Sequence, residues 1–291
     1  MQPYVFFSIL AAISFALSTL IIKFTSKHRI SNSWVLLFYY YLGLVPSLFL
    51  IPLIFKVDFP EGGWVFVVLY AFAFFLGSIF FTKALYRLDA STIAPFYHLQ
   101  SLFIIILAFF FLNERFSFEK YLFGIMMIIG SLFITLDEKM NIKTYFKIGV
   151  LLIVMQQFFH AISNIFAGFA LKQMNSFTFI FWGDLVAVSF VFLLIPFVGA
   201  SKFKVSFNQI KPLFISGFFS TIGATSLFTA FMFNITISSI LSLLASPIVF
   251  VLAVIASIVK PNLLEHHSLR VYIVRGIGFF LILFGAINLS V

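Results

Sequence analysis

Gln156, Gln157, His160, Ser163 and Asn164 recur at i, i+3, i+4 and i+7. That spacing puts amides, an imidazole and a hydroxyl on one face of a helix. The stretch around them, 147–170, is otherwise apolar. Such a stripe either hydrogen-bonds a neighbouring helix or lines a polar cavity, and both readings stay open at this stage. Asp184 is sharper. It is a carboxylate well inside the apolar stretch 177–199, roughly 10 Å along a helix axis from its start at 1.5 Å per residue. A central Asp costs about 2.5–3.5 kcal/mol in a membrane helix. A compensating role is therefore expected: a basic partner, a proton, or the positive group of a ligand. His98 shares a face with Ser91, Ala94 and Ser101, with Tyr97 and Gln100 beside it. Lys83 is the deepest of four basic residues (Lys23, Lys83, Arg87, Arg275) near the ends of apolar stretches, where long side chains can also snorkel outward. Tyr97 and Trp182 offer ring faces for stacking or cation–π contact, although rings there also pack or mark an interface. The candidate ligand-binding set is thus Lys83, Tyr97, His98, Gln157, His160, Asn164, Trp182 and Asp184.

The elements that carry these residues follow from composition. The chain has 291 residues, 63% hydrophobic and only 9% charged, against about 25% in a soluble domain. One water-soluble core cannot hide that much apolar surface, so the solvent is lipid. The net charge of +9 fits the basic cytoplasmic ends of membrane helices better than nucleic-acid binding. The absence of cysteine excludes disulfides and Cys-ligated metals. No metal or cofactor set, no HExxH pattern and no P-loop is found, so neither an enzyme nor an ATP-driven pump is expected. The first ten residues, MQPYVFFSIL, lack the basic region of a signal peptide.

A membrane helix needs about 20 apolar residues. Ten segments qualify, near 4–22, 33–55, 64–86, 91–112, 118–136, 147–170, 177–199, 212–234, 237–259 and 269–290. NSWVLLFYY at Asn32 is nearly repeated as NSFTFIFWG at Asn175, and each copy runs on to a proline, Pro52 and Pro196. FALSTLI at Phe15 stands opposite HAISNIF at His160, and KALYRLDASTI at Lys83 opposite TAFMFNITISS at Thr229. The chain therefore reads as an all-α membrane protein of two five-helix repeats, 1–143 and 144–291. Five is odd, so the second repeat enters the membrane from the opposite side. Lys23, Lys27, Arg29, Arg87, Lys139, Lys143, Lys147, Lys202, Lys204, Lys211, Lys260 and Arg270 fall on one side of this topology. Lys56, Arg115, Lys120 and Lys172 fall on the other. The positive-inside rule then puts both termini outside.

The segment KALYRLDASTIAPFYHLQSLFIIILAFFFLNERFSFEKYLFGIMMIIGSLFI, Lys83 to Ile134, resembles the EamA-type members of the drug/metabolite transporter superfamily. The resemblance rests on Ala-Leu before a short turn, the Glu114-Arg115 pair opening the next helix, and the glycines Gly124 and Gly130. The second half matches more loosely: it has Pro247, Gly276, Gly278 and Gly285, but Lys260 and Pro261 where the glutamate would stand. The resemblance implies a ten-helix transporter of small molecules, usually with both termini in the cytoplasm, contrary to the charge count. The expectation is a multi-pass protein of the plasma (inner) membrane. It would move a small polar metabolite, such as an amino acid, by alternating access, as monomer or homodimer, with a proton or counter-substrate as possible coupling partner. The alternatives are a multidrug or nucleotide-sugar/sugar-type transporter of the same fold, or a channel or scaffold without a transport cycle.

Overall fold

The computed structural model describes residues 3–88, 92–93, 96–97, 99–111, 117–135, 148–233, 238, 241–242, 244–259 and 268–290. The helices are α1 (Pro3–His28), α2 (Ser33–Leu48), α3 (Trp64–Leu85), α4 (Leu99–Phe111), α5 (Phe118–Thr135), α6 (Ile148–Ala170), α7 (Ser176–Val191), α8 (Phe207–Phe231), α9 (Ala245–Val259) and α10 (Leu269–Ser290). Among the described residues there are no strands. Among the described residues, six spans are long and apolar enough to cross a membrane: α1, α3, α6, α8, and α2 and α7 with their short continuations Ile51–Ile54 and Leu194–Val198. Side chains such as Phe6, Val65, Leu151, Phe197 and Phe280 face outward, as lipid-facing positions must. The described parts of α4 and α9 have 13 and 15 residues, and α5 and α10 are not among the six.

Local chemistry explains the helix limits. Asn32 Oδ1 accepts from the backbone N–H of Trp34 at 2.9 Å, and Asn175 Oδ1 from that of Thr178 at 2.8 Å. Each thereby satisfies one of the donors a helix start leaves unpaired. α2 and α7 both break a few residues before a proline, Pro52 and Pro196, whose ring removes an N–H and crowds the carbonyl one turn back. Pro212 inside α8 likewise strips the carbonyl of Asn208 of its helical donor. Arg29 supplies one instead, its guanidinium donating to Asn208 O at 2.6 Å. Beside it, Gln209 donates to Arg29 O at 3.0 Å.

α1 runs antiparallel to α8, and α3 antiparallel to α6; these are close pairs, as is α5 with α10. α8 also packs on α2, α3 on α7, α4 on α6, α1 on α9, and α2 on α7. Small residues allow the closest approaches. A Cβ on Gly43 of α2 would lie 2.5 Å from the carbonyl oxygen of Leu213 in α8.

The two ends of the bundle differ. At one end Lys23 Nζ donates to Leu85 O and Leu88 O, both at 2.7 Å, and Tyr86 OH donates to Ile30 O. Lys23 is buried rather than snorkelled: the last carbonyls of α3 need donors, and the ammonium supplies them. Lys27, Arg29, Arg87, Lys202, Lys204 and Lys211 gather at this end. At the other end the α2–α3 loop meets the start of α7, where Asp58 N donates to Thr178 Oγ1 at 3.1 Å. Lys56 and Lys172 belong there.

Candidate functional site

A cavity of about 190 Å³ lies at the centre, with walls from both ends of the sequence. α3 contributes Tyr70, Phe74, Ser78 and Phe81, one face of the helix at spacings of three or four. α8 contributes Ser220, Ala224, Leu227 and Phe228, again one face. α1 adds Phe15, Ser18, Thr19 and Ile22, and α6 adds Gln156, His160, Ser163 and Asn164. Tyr40 of α2, Asp184 of α7, Tyr97 and Gln100 near the start of α4, and Ser242 just before α9 complete the described polar lining.

The polar groups fall into three sets. The first is a hydroxyl cluster: Ser18 Oγ lies 2.7 Å from both Ser216 Oγ and Ser220 Oγ, and Tyr40 OH lies 3.1 Å from Ser220 Oγ. It ties α1 and α2 to α8. The second is the amide–imidazole chain of α6. Gln157 Nε2 donates to Gln156 Oε1 at 2.5 Å, and Gln156 Nε2 lies 3.3 Å from His160 Nδ1. His160 Nε2 is buried and has no hydrogen-bond partner among the described residues. The His160 ring stacks on Phe74, with centroids 5.3 Å apart, and stands over Gly77, where any side chain would collide with it. The third is Asp184. It is 4% exposed, and its Oδ1 accepts from Tyr70 OH at 3.1 Å. No described residue forms an ion pair with it. Of the two roles the sequence left open, a structural basic partner is thus absent among the described residues. Tyr70 stacks on Phe74, with Phe179 and Phe228 edge-on to it, so rings surround the carboxylate corner.

Of the candidates named from sequence, Tyr97, His160, Asn164 and Asp184 line this cavity together. Gln157 stands behind Gln156 and orients it. Lys83 lies outside the lining, its Nζ 4.5 Å from the centre of the Trp34 ring at the basic end. Trp182 also lies outside it: its Nε1 donates to Asp58 O at 3.0 Å, and its ring packs on Phe59 of the α2–α3 loop and on Trp64 at the start of α3. His98 lies outside the described residues. Sequence reasoning missed Tyr70 and Phe74, because α3 reads as uniformly apolar. Their signal was the spacing of Tyr70, Phe74, Ser78 and Phe81 on one face. Ser18 and Ser220 both tie α1 to α8 and face the cavity.

Residues 2–136 match the model of the EamA-like transporter family, part of the drug/metabolite transporter superfamily. That match and the six apolar spans support an integral, multi-pass membrane protein of transporter type. None of the curated proteins matches the sequence. Among solved structures, one described only as the crystal structure of a protein shares the fold with a TM-score of 0.65. That likeness covers 97% of this chain and 94% of the other at 15% identity, which establishes shared architecture along nearly the whole length.

Proposed function

We propose that the protein is a secondary transporter that moves a small polar metabolite by alternating access between two inverted five-helix halves, 1–143 and 144–291. One observation carries the reading: helix contacts recur when α1–α5 are exchanged with α6–α10. α1 on α8 becomes α6 on α3, α2 on α8 becomes α7 on α3, and α4 on α6 becomes α9 on α1. α5 with α10 and α2 with α7 map onto themselves. Detail supports it too. His160 crowds Gly77, and Phe15, its counterpart, crowds Gly223. A cavity enclosed by two such halves can open to either side when one half rocks against the other. Tyr97, His160, Asn164 and Asp184 contact substrate in this reading. Lys83, His98, Gln157 and Trp182 remain candidates for gating or support. The described lining contains no Lys or Arg, which favours a neutral, zwitterionic or cationic metabolite over a nucleotide sugar. The basic end of the bundle faces the cytoplasm on the charge rule, which leaves the termini outside the plasma (inner) membrane.

The test is counterflow in proteoliposomes. Vesicles preloaded with a mixture of polar metabolites should accelerate saturable uptake of a labelled member of that mixture. Flux that does not saturate and ignores the internal solute would mark a channel; no flux would mark a scaffold. Gln2→Cys on intact cells tests orientation: reaction with an impermeant thiol reagent supports outside termini, and protection contradicts them.

A further inference from the structure

We infer that the Asp184–Tyr70 corner of the cavity is a binding subsite for the protonated amine of an organic ligand; this rests on reading the cavity as the substrate site. The Asp184 carboxylate is almost wholly buried, yet accepts from a single described donor, the Tyr70 hydroxyl, at Oδ1. A carboxylate held there without a cation is costly and marks a functional site by default. An ammonium group supplies what is missing, a positive charge with N–H donors for the remaining lone pairs.

The walls fit the rest of such a ligand. Phe74 lies between Tyr70 and the His160 ring, stacked on both. Phe228 stands edge-on to Tyr70 at 5.9 Å. Ring faces beside a carboxylate attract a cation twice, through the charge and through the ring quadrupole. They also accept the apolar body that carries the amine. An anion meets the opposite conditions, since the one acidic side chain in the described lining repels it and no described Lys or Arg attracts it. Elsewhere in the lining, the Ser18–Ser220–Tyr40 hydroxyls and His160 Nε2, which has no hydrogen-bond partner among the described residues, can bind a polar tail.

The experiment uses the full-length protein in lipid nanodiscs and four probes on one skeleton: phenethylamine, N-acetylphenethylamine, 3-phenylpropionate and phenylalanine. Binding is read by calorimetry and by the shift in unfolding midpoint, with sodium chloride as the ionic control. Phenethylamine should bind at least tenfold more tightly than its acetylated and anionic counterparts. Equal binding of phenylalanine would assign the amine to an amino acid; binding of phenethylamine alone would assign it to a simple amine. Asp184→Asn should weaken the amine at least tenfold, and Tyr70→Phe severalfold. The wild-type probe series keeps the test intact should Asp184→Asn fail to fold. Equal binding of the anion, an equal shift from sodium chloride, or undiminished amine affinity in a folded Asp184→Asn variant would overturn the inference. Counterflow of solutes that amines do not inhibit would overturn it while leaving the transporter reading standing. Amine binding without any counterflow would do the reverse.

Discussion

Substitution of Gly43 by alanine tests the packing that holds the cavity together. The added Cβ would sit 2.5 Å from Leu213 O, 2.9 Å from Leu213 C and 3.2 Å from Phe214 N. Ordinary contact begins near 3.4 Å, so α2 and α8 must separate by about 0.9 Å at this crossing. The obstacle is helix backbone, which cannot rotate away as a side chain can. Overpacking of this kind costs about 1–3 kcal/mol. One turn along, Ser47 Oγ lies 2.8 Å from Thr221 Oγ1, and separation weakens that bond, worth about 0.6 kcal/mol in a membrane bundle. Alanine regains about 1 kcal/mol over glycine in helix propensity. The net loss is about 0.6–2.6 kcal/mol. Gly276→Ala is the internal control, because no atom of the described residues lies within 4 Å of its added Cβ. There the propensity gain stands alone, and the variant should match or slightly exceed wild type. Unfolding midpoints of the two variants in one detergent, followed by tryptophan fluorescence, make the comparison. A Gly43→Ala midpoint equal to that of Gly276→Ala would refute the close α2–α8 crossing.

Other outcomes follow from single contacts. Lys23→Met removes two charge-assisted bonds to the end of α3 and should lower stability by about 2–4 kcal/mol, read as the midpoint shift on heating. Asn32→Ala and Asn175→Ala should each cost about 1 kcal/mol through the lost N-caps, and the double variant about twice that. Gly77→Ala drives the His160 ring from its place on Phe74, so ligand binding should fall more than the unfolding midpoint does. Trp182→Phe loses the bond to Asp58 and about 1 kcal/mol of stability, while ligand affinity stays at the wild-type value.

Continuous apolar stretches made the helices legible before any coordinates, because lipid leaves a backbone no alternative to internal hydrogen bonding. The repeat of Asn32 and Asn175, and of Pro52 and Pro196, marked the same cap and the same break in two places. The polar face of α6 was legible for the same reason, since charge-free stretches make Gln156, His160 and Asn164 conspicuous. What sequence could not give was depth and partner. Lys83 and Trp182 have the chemistry of a binding site, but Lys83 sits near the end of α3 over Trp34, and Trp182 of α7 turns to the Asp58 loop. Lys23 looked free to reach water, whereas the carbonyls of α3 that hold it lie far along the chain. Tyr70 meets Asp184 only through the α3–α7 packing, a contact no local pattern encodes.

The central claim is that one cavity opens in turn to both sides of the membrane. The chain has no cysteine, so Ser220→Cys places a single thiol in the cavity wall. The direct measurement is its reaction with an impermeant thiol reagent in right-side-out and in inside-out vesicles. Alternating access predicts modification from both sides. Modification from one side alone, or from neither, would contradict it.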